Sequence, residues 1–153
     1  MLLNDIHHLT LLTADMDRLI AFYERIFDAQ VKADLEEEGL RHAFIEIGPH
    51  TMLHPFQVPG VDPPERQPMF ERGRIDHFGL NAGSEDAFWE LRRRLLAEDA
   101  GATEGGLVTD MGSALSFSFH DPDGGWHEVM WQRPGVPVEQ GLKVAEWKMI
   151  EGD

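Results

Sequence analysis

The sequence predicts an α+β fold built from two copies of one β-α-β-β unit, and three observations carry that expectation. A β-rich run followed by an amphipathic helix occurs twice. The two copies keep a constant offset along the chain. Each helix is followed by strand-like runs joined by Gly- and Pro-marked turns.

Ile6-His7-His8-Leu9-Thr10-Leu11-Leu12 reads as a strand ending at Thr13-Ala14-Asp15. Beyond it, Leu19, Phe22, Tyr23, Ile26 and Phe27 recur at the spacing of a helix's apolar stripe. Asp15 is the expected N-cap, because its carboxylate accepts from the free amides of the first turn. Ile75 to Asn81 forms the second strand, and Ser84 caps a helix with Glu85 and Asp86 in its first turn and Phe88, Leu91 and Leu95 on its apolar side. His8 to His77 and Asp15 to Ser84 span the same 69 positions (77 − 8 and 84 − 15). A repeat of strand, cap and stripe together is stronger evidence than any one of them.

Arg41–Ile47 and Thr51–His54 flank the turn Gly48-Pro49-His50, and Ala114–Phe119 and Trp126–Trp131 flank Asp121-Pro122-Asp123-Gly124. Residues 55–74 carry Pro55, Pro59, Pro63, Pro64 and Pro68 and read as a linker, since proline cannot donate to a ladder. The acidic run Glu36-Glu37-Glu38 reads as a solvated loop, and Val144, Trp147 and Ile150 suggest a short docked helix in the tail. The expected organisation is a single domain over 1–153, with one module at 5–57, a linker at 58–74, a second module at 75–132 and a tail at 133–153.

At 153 residues the chain has the size of one domain, and 42% hydrophobic with 27% charged residues is ordinary for a globular protein. A net charge of −15 repels phosphate backbones and anionic membranes, so nucleic acid and membrane partners are not expected. The absence of cysteine removes thiolate catalysis, disulfides and cysteine-held metals. With neither a signal-like N-terminus nor an apolar run near 20 residues, a cytoplasmic location is the expectation.

Strand parity selects the candidate site. His8, Thr10 and Leu12 share one face of the first strand, and Trp126, Glu128 and Met130 share one face of the last, with His127 and Val129 opposite. His77 takes in the second copy the place of His8. Two imidazoles and a carboxylate around open positions suit Fe(II), Mn(II) and similar divalent ions. Thr10 is a candidate hydrogen-bond donor to substrate, and Trp126 and Met130 are a candidate apolar substrate wall. His7, His42, His50, His120 and His127 read as solvated or supporting residues, His120 first among the latter.

His8-Leu-Thr-Leu-Leu-Thr-Ala-Asp15 with Ala21-Phe22-Tyr23, and Phe119-His-Asp-Pro-Asp-Gly124 followed by Glu128, resemble the vicinal oxygen chelate superfamily of glyoxalases, bleomycin-resistance proteins and extradiol dioxygenases. The resemblance runs over roughly residues 5–132. It implies two βαβββ modules forming a cupped mixed sheet around a central metal and ligand cavity. It also implies a homodimer, and one divalent ion (Fe, Mn, Ni or Zn) held by His8, His77 and Glu128. The implied chemistry is bidentate chelation of a small oxygenated molecule by a dioxygenase, lyase or isomerase.

Departures narrow this. The fourth ligand or general base of glyoxalases and epimerases falls near His54, with Glu46 a weaker substitute. Ser118 stands where extradiol enzymes carry tyrosine, and Thr109, Asp110 and Met111 where they carry an acid–base histidine. No Lys or Arg lies between Gly101 and Phe119 to hold a phosphonate. The alternative reading is a metal-free sequestration protein resembling bleomycin-resistance proteins, whose acidic surface attracts cationic ligands.

Overall fold

A computed structural model describes residues 2, 6–61, 70, 72, 75–141 and 143–152. The chain divides into two compact units, Met1–Arg66 and Gln67–Asp153. Pro63, Pro64 and Pro68 of the expected linker lie outside the described residues.

The first unit runs β1 (His8–Leu12), α1 (Met16–Phe27), β2 (Gln30–Glu37), β3 (Leu40–Gly48) and β4 (Thr51–Gln57). Its sheet has the order β1-β4-β3-β2, with β1 and β4 parallel and the other pairs antiparallel. Asp15 caps α1 as expected, accepting from the Arg18 amide at 3.0 Å, and Gln57 accepts from the Met16 amide at 2.9 Å. The helix buries Met16, Leu19, Phe22, Tyr23 and Ile26. Ala43, Ile45, Leu53 and Pro55 are the buried residues of the sheet, which leaves His42, Phe44, His54 and Phe56 on the opposite face by strand alternation.

Two expectations fail in this unit. Pro55 lies inside β4 rather than in a linker. The β3 register pairs Leu53 and Phe56 but neither His54 nor Pro55, so the missing proline N–H falls at a gap in that ladder. Glu36 and Glu37 belong to β2 rather than to a loop. That edge strand is specified by backbone pairing with β3, which leaves its outer side chains exposed to water.

The second unit runs β5 (Phe78–Asn81), α2 (Glu85–Ala97), β6 (Val108–Asp110), β7 (Ala114–His120), β8 (Trp126–Gln132) and β9 (Lys148–Ile150). Its order, β5-β8-β7-β6-β9, repeats the first with one strand added. Both units are thus βαβββ modules, and the fold is α+β. Ser84 caps α2 by accepting from the Ala87 amide at 3.1 Å. Phe88, Leu95, Val108, Leu115, Phe117, Phe119 and Val129 belong to its buried apolar core. The tail forms two 3-10 turns and β9 instead of a docked helix, because the free edge of β6 accepts Lys148–Ile150 as an antiparallel partner.

The β7–β8 turn is locked by side chains. Asp121 Oδ1 accepts from the amides of Asp123 (3.0 Å) and Gly125 (2.7 Å), while Oδ2 lies 3.1 Å from His127 Nε2. A Cβ on Gly125 would sit 2.8 Å from Asp121 Oδ2, so the turn requires glycine there. His127 is therefore buried and paired, between the rings of Phe78 and Phe119.

Candidate functional site

In the second unit, β5 and β8 run parallel with Gly79 opposite Glu128 and Asn81 opposite Met130. His77 immediately precedes β5, and its Nε2 lies 3.7 Å from Glu128 Oε2. Its Nδ1 lies 2.9 Å from Asp76 Oδ2. Both His77 and Glu128 are partly exposed, so an ion reaching them keeps access to solvent and substrate. Trp126 and Met130 occupy the face of Glu128, as parity requires. The Trp126 ring stands edge-on to His120, and Met130 fills the space beside Gly79. The buried Trp126 Nε1 has no hydrogen-bond partner among the described residues.

In the first unit, the β1–β4 register sets Thr10 opposite His54 and His8 opposite Met52. The His8 and His54 rings are 5.3 Å apart between centroids. His54 lies flat on Phe44 at 3.9 Å and bonds His42 Nδ1 through its Nε2 at 3.1 Å. Burial, and after it the proximity of His42 and His8, pushes the His54 imidazole below the ordinary histidine value. His54 is accordingly a neutral ring at neutral pH, in the state that accepts a proton. His8 Nδ1 lies 2.9 Å from His7 Nδ1. Lys32 is paired to Glu46 at 3.0 Å, which occupies that carboxylate as an alternative to His54.

Among the described residues no group of three His, Asp or Glu side chains is gathered closely enough to hold an ion. The predicted donors stand as pairs instead, His77 with Glu128 in one unit and His8 with His54 in the other. The His77–Glu128 pair fits a divalent ion. Two ligands of a tetrahedral ion with bonds near 2.1 Å stand about 3.4 Å apart, close to the observed separation. The structure gives the supporting residues their partners. No spacing along the chain gives His42 a place beside His54. His7, read from the sequence as solvated or supporting, and Asp76, not singled out there, meet His8 and His77, and each directly precedes its histidine.

Comparison with known proteins gives a consistent result. The family model for the Glyoxalase/Bleomycin resistance protein/Dioxygenase superfamily matches residues 5–129. The uncharacterized protein YwkD of Bacillus subtilis (strain 168) is 31% identical over 127 residues, covering 80% of this chain and 93% of that protein. Among solved structures, a glyoxylase/bleomycin resistance protein/dioxygenase domain from Frankia sp. EAN1pec superposes with a TM-score of 0.72 at 20% identity, over 88% of this chain and 96% of that one. The fosfomycin resistance protein FosX of Listeria monocytogenes, solved with Mn(II) and sulfate, gives 0.62 at 18% identity, over 93% and 100% of the two chains. Leishmania major glyoxalase I gives 0.59 at 20% identity, over 82% and 85%. Among the described residues no helix is long and apolar enough to cross a membrane. The repeated βαβββ units and the match over residues 5–129 agree: this chain belongs to the Glyoxalase/Bleomycin resistance protein/Dioxygenase superfamily.

Proposed function

We propose that the chain is a divalent-metal-dependent enzyme acting on a small oxygenated organic molecule, with His8, His77 and Glu128 as the protein ligands. The observation that carries this reading is the His77 Nε2–Glu128 Oε2 pair, facing at 3.7 Å. Membership of a superfamily in which FosX was solved with Mn(II) supports it. Bound there, the ion supplies Lewis-acid stabilisation of negative charge developing on two neighbouring substrate oxygens.

The chain's own residues supply the rest. His54 is the general base or a fourth ligand, held neutral by burial and by His42 and His8. Thr10, aligned with His54 across β1 and β4, donates its hydroxyl to a substrate oxygen. Trp126 and Met130 form an apolar wall beside Glu128, on the face that parity gives them. Two cations of the first unit are already engaged, Arg41 by Asp17 and Asp34 and Lys32 by Glu46.

Calorimetric titration with Mn2+, Zn2+, Ni2+ and Fe2+ tests the reading on wild type, His8→Ala, His77→Ala and Glu128→Ala. One ion per chain is expected in the wild type, with each variant losing at least about tenfold in affinity. A wild type that takes up none of the four ions contradicts the proposal and leaves the sequestration role.

A further inference from the structure

His8 and His77 share more than their place in the repeat. His8 Nδ1 lies 2.9 Å from the Nδ1 of His7, and His77 Nδ1 lies 2.9 Å from Oδ2 of Asp76. In each unit the residue immediately preceding the histidine thus meets the same ring nitrogen. His7 and Asp76 are themselves related by the offset that relates His8 and His77. Within a regular strand neighbouring side chains point to opposite faces and do not meet. Here the contacts form where β1 and β5 begin, at His8 and Phe78, before the alternation is imposed.

The chemistry of the pair fixes the proton. A neutral imidazole carries one N–H and one lone pair, and a carboxylate only accepts. Asp76 therefore selects the form of His77 with its proton on Nδ1, which leaves the lone pair on Nε2. That nitrogen is the one facing Glu128 Oε2 at 3.7 Å. In that form two acceptors face each other, an arrangement that a cation between them relieves. Free histidine in water prefers the opposite form, with the proton on Nε2, so the contact with Asp76 reverses a default.

His7 and His8 pose the same question between two rings, and one of the facing nitrogens must carry the proton. With His7 as acceptor, His7 keeps the form that free histidine prefers and His8 presents Nε2. With the roles exchanged, a proton occupies His8 Nε2 and no lone pair is available there for a metal.

We propose that Asp76 and His7 are positioning residues: each holds the Nδ1–H of the histidine next to it in the chain and presents that ring's Nε2 to the metal. The inference rests on the reading of His8 and His77 as ligands. It assigns a task to two residues, one of them a carboxylate acceptor and the other an imidazole. The charge-assisted bond of Asp76 is the stronger of the two, so its loss has the larger effect.

The test uses the full chain labelled with 15N-histidine, and long-range proton–nitrogen correlation at neutral pH to read which ring nitrogen is protonated. In the metal-free wild type, His77 and His8 are expected with the proton on Nδ1 and Nε2 bare. Asp76→Ala returns His77 to the Nε2–H form and His7→Phe does the same to His8. Asp76→Asn, whose amide oxygen still accepts, preserves the wild-type form of His77. Circular dichroism confirms that each variant is folded, since Asp76 also accepts from the Phe70 amide.

Titration of the same samples with Zn2+ should show affinity reduced about 10–100-fold in Asp76→Ala, less in His7→Phe, and largely restored in Asp76→Asn. A wild-type His77 protonated on Nε2, alone or together with Nδ1, overturns the proposal. So does a tautomer that Asp76→Ala leaves unchanged. Zinc bound equally by wild type and Asp76→Ala overturns the positioning role alone, whereas zinc that fails to bind wild type overturns the ligand reading beneath it.

Discussion

Replacing Asp121 by alanine removes the acceptor that organises the β7–β8 turn. Two backbone amides and the His127 Nε2 lose their partner together. The side chains of Asp121 and His127 are each only 6% exposed, so water does not replace what is lost. His127 Nδ1 already lacks a partner among the described residues, and in Asp121→Ala the buried ring would have none at either nitrogen. An unsatisfied buried polar group costs about 1–3 kcal/mol, and with the ring nitrogen and two turn amides losing their acceptor together the cost is about 3–5 kcal/mol. For a chain of this size that corresponds to a melting temperature lowered by roughly 6–20 °C.

Urea unfolding monitored by circular dichroism reads the cost, and a double-mutant cycle assigns it. His127→Phe places an apolar ring between Phe78 and Phe119, so Asp121→Ala in that background loses only the turn's backbone bonds. Its cost there should be smaller by about 2 kcal/mol. A cost below about 1 kcal/mol, or one equal in the two backgrounds, would show that Asp121 does not hold the turn through His127. The turn sets the register that pairs Ser118 with Glu128. Asp121→Ala should therefore also weaken metal uptake at a residue it does not touch.

Asp15→Ala and Ser84→Ala each remove an N-cap and should each cost about 1 kcal/mol in urea unfolding, with additive effects because the caps lie in different units. Asp110 is held below the ordinary value of 3.8 by its hydrogen bond to the Arg133 guanidinium. Its contribution is complete above that value and is lost as pH falls through the lowered one, so the stability gap between wild type and Asp110→Asn should close on acidification. A gap that stays constant from neutral pH downward would contradict this. Trp126→Phe keeps the ring and removes a buried, unpaired N–H, so stability should hold or rise by up to about 1 kcal/mol. A clear loss of stability would show that this N–H has a partner.

The parts of the fold that are legible in the sequence rest on local chemistry. Asp15 and Ser84 are recognisable as caps because each stands directly before an amphipathic run, with free amides within one turn of its side chain. The two-copy organisation is recognisable because the repeat of strand, cap and helix needs no tertiary knowledge. β2 escapes such reasoning because an edge strand held through backbone bonds needs no alternating apolar pattern, and its outer half is acidic and exposed. β6 and β9 are three residues each, too short for periodicity to register. Pro55 misleads because a proline inside a strand is visible as tolerable only once the gap in its neighbour's register is known. The contact between His42 and His54 depends on the register between β3 and β4, which no spacing along the chain reveals. Asp76 is different: its adjacency to His77 is open to view in the sequence, and the orientation of its carboxylate is not.

Anomalous diffraction from crystals grown with the bound metal, recorded at that metal's absorption edge, locates the ion and its ligands. The expected result is one peak bonded to Nε2 of His77, a carboxylate oxygen of Glu128 and Nε2 of a His8, whether that His8 belongs to the same chain or to a second copy. Metal bound through other residues, or crystals that show no peak after soaking with Mn2+ and Zn2+, would contradict it.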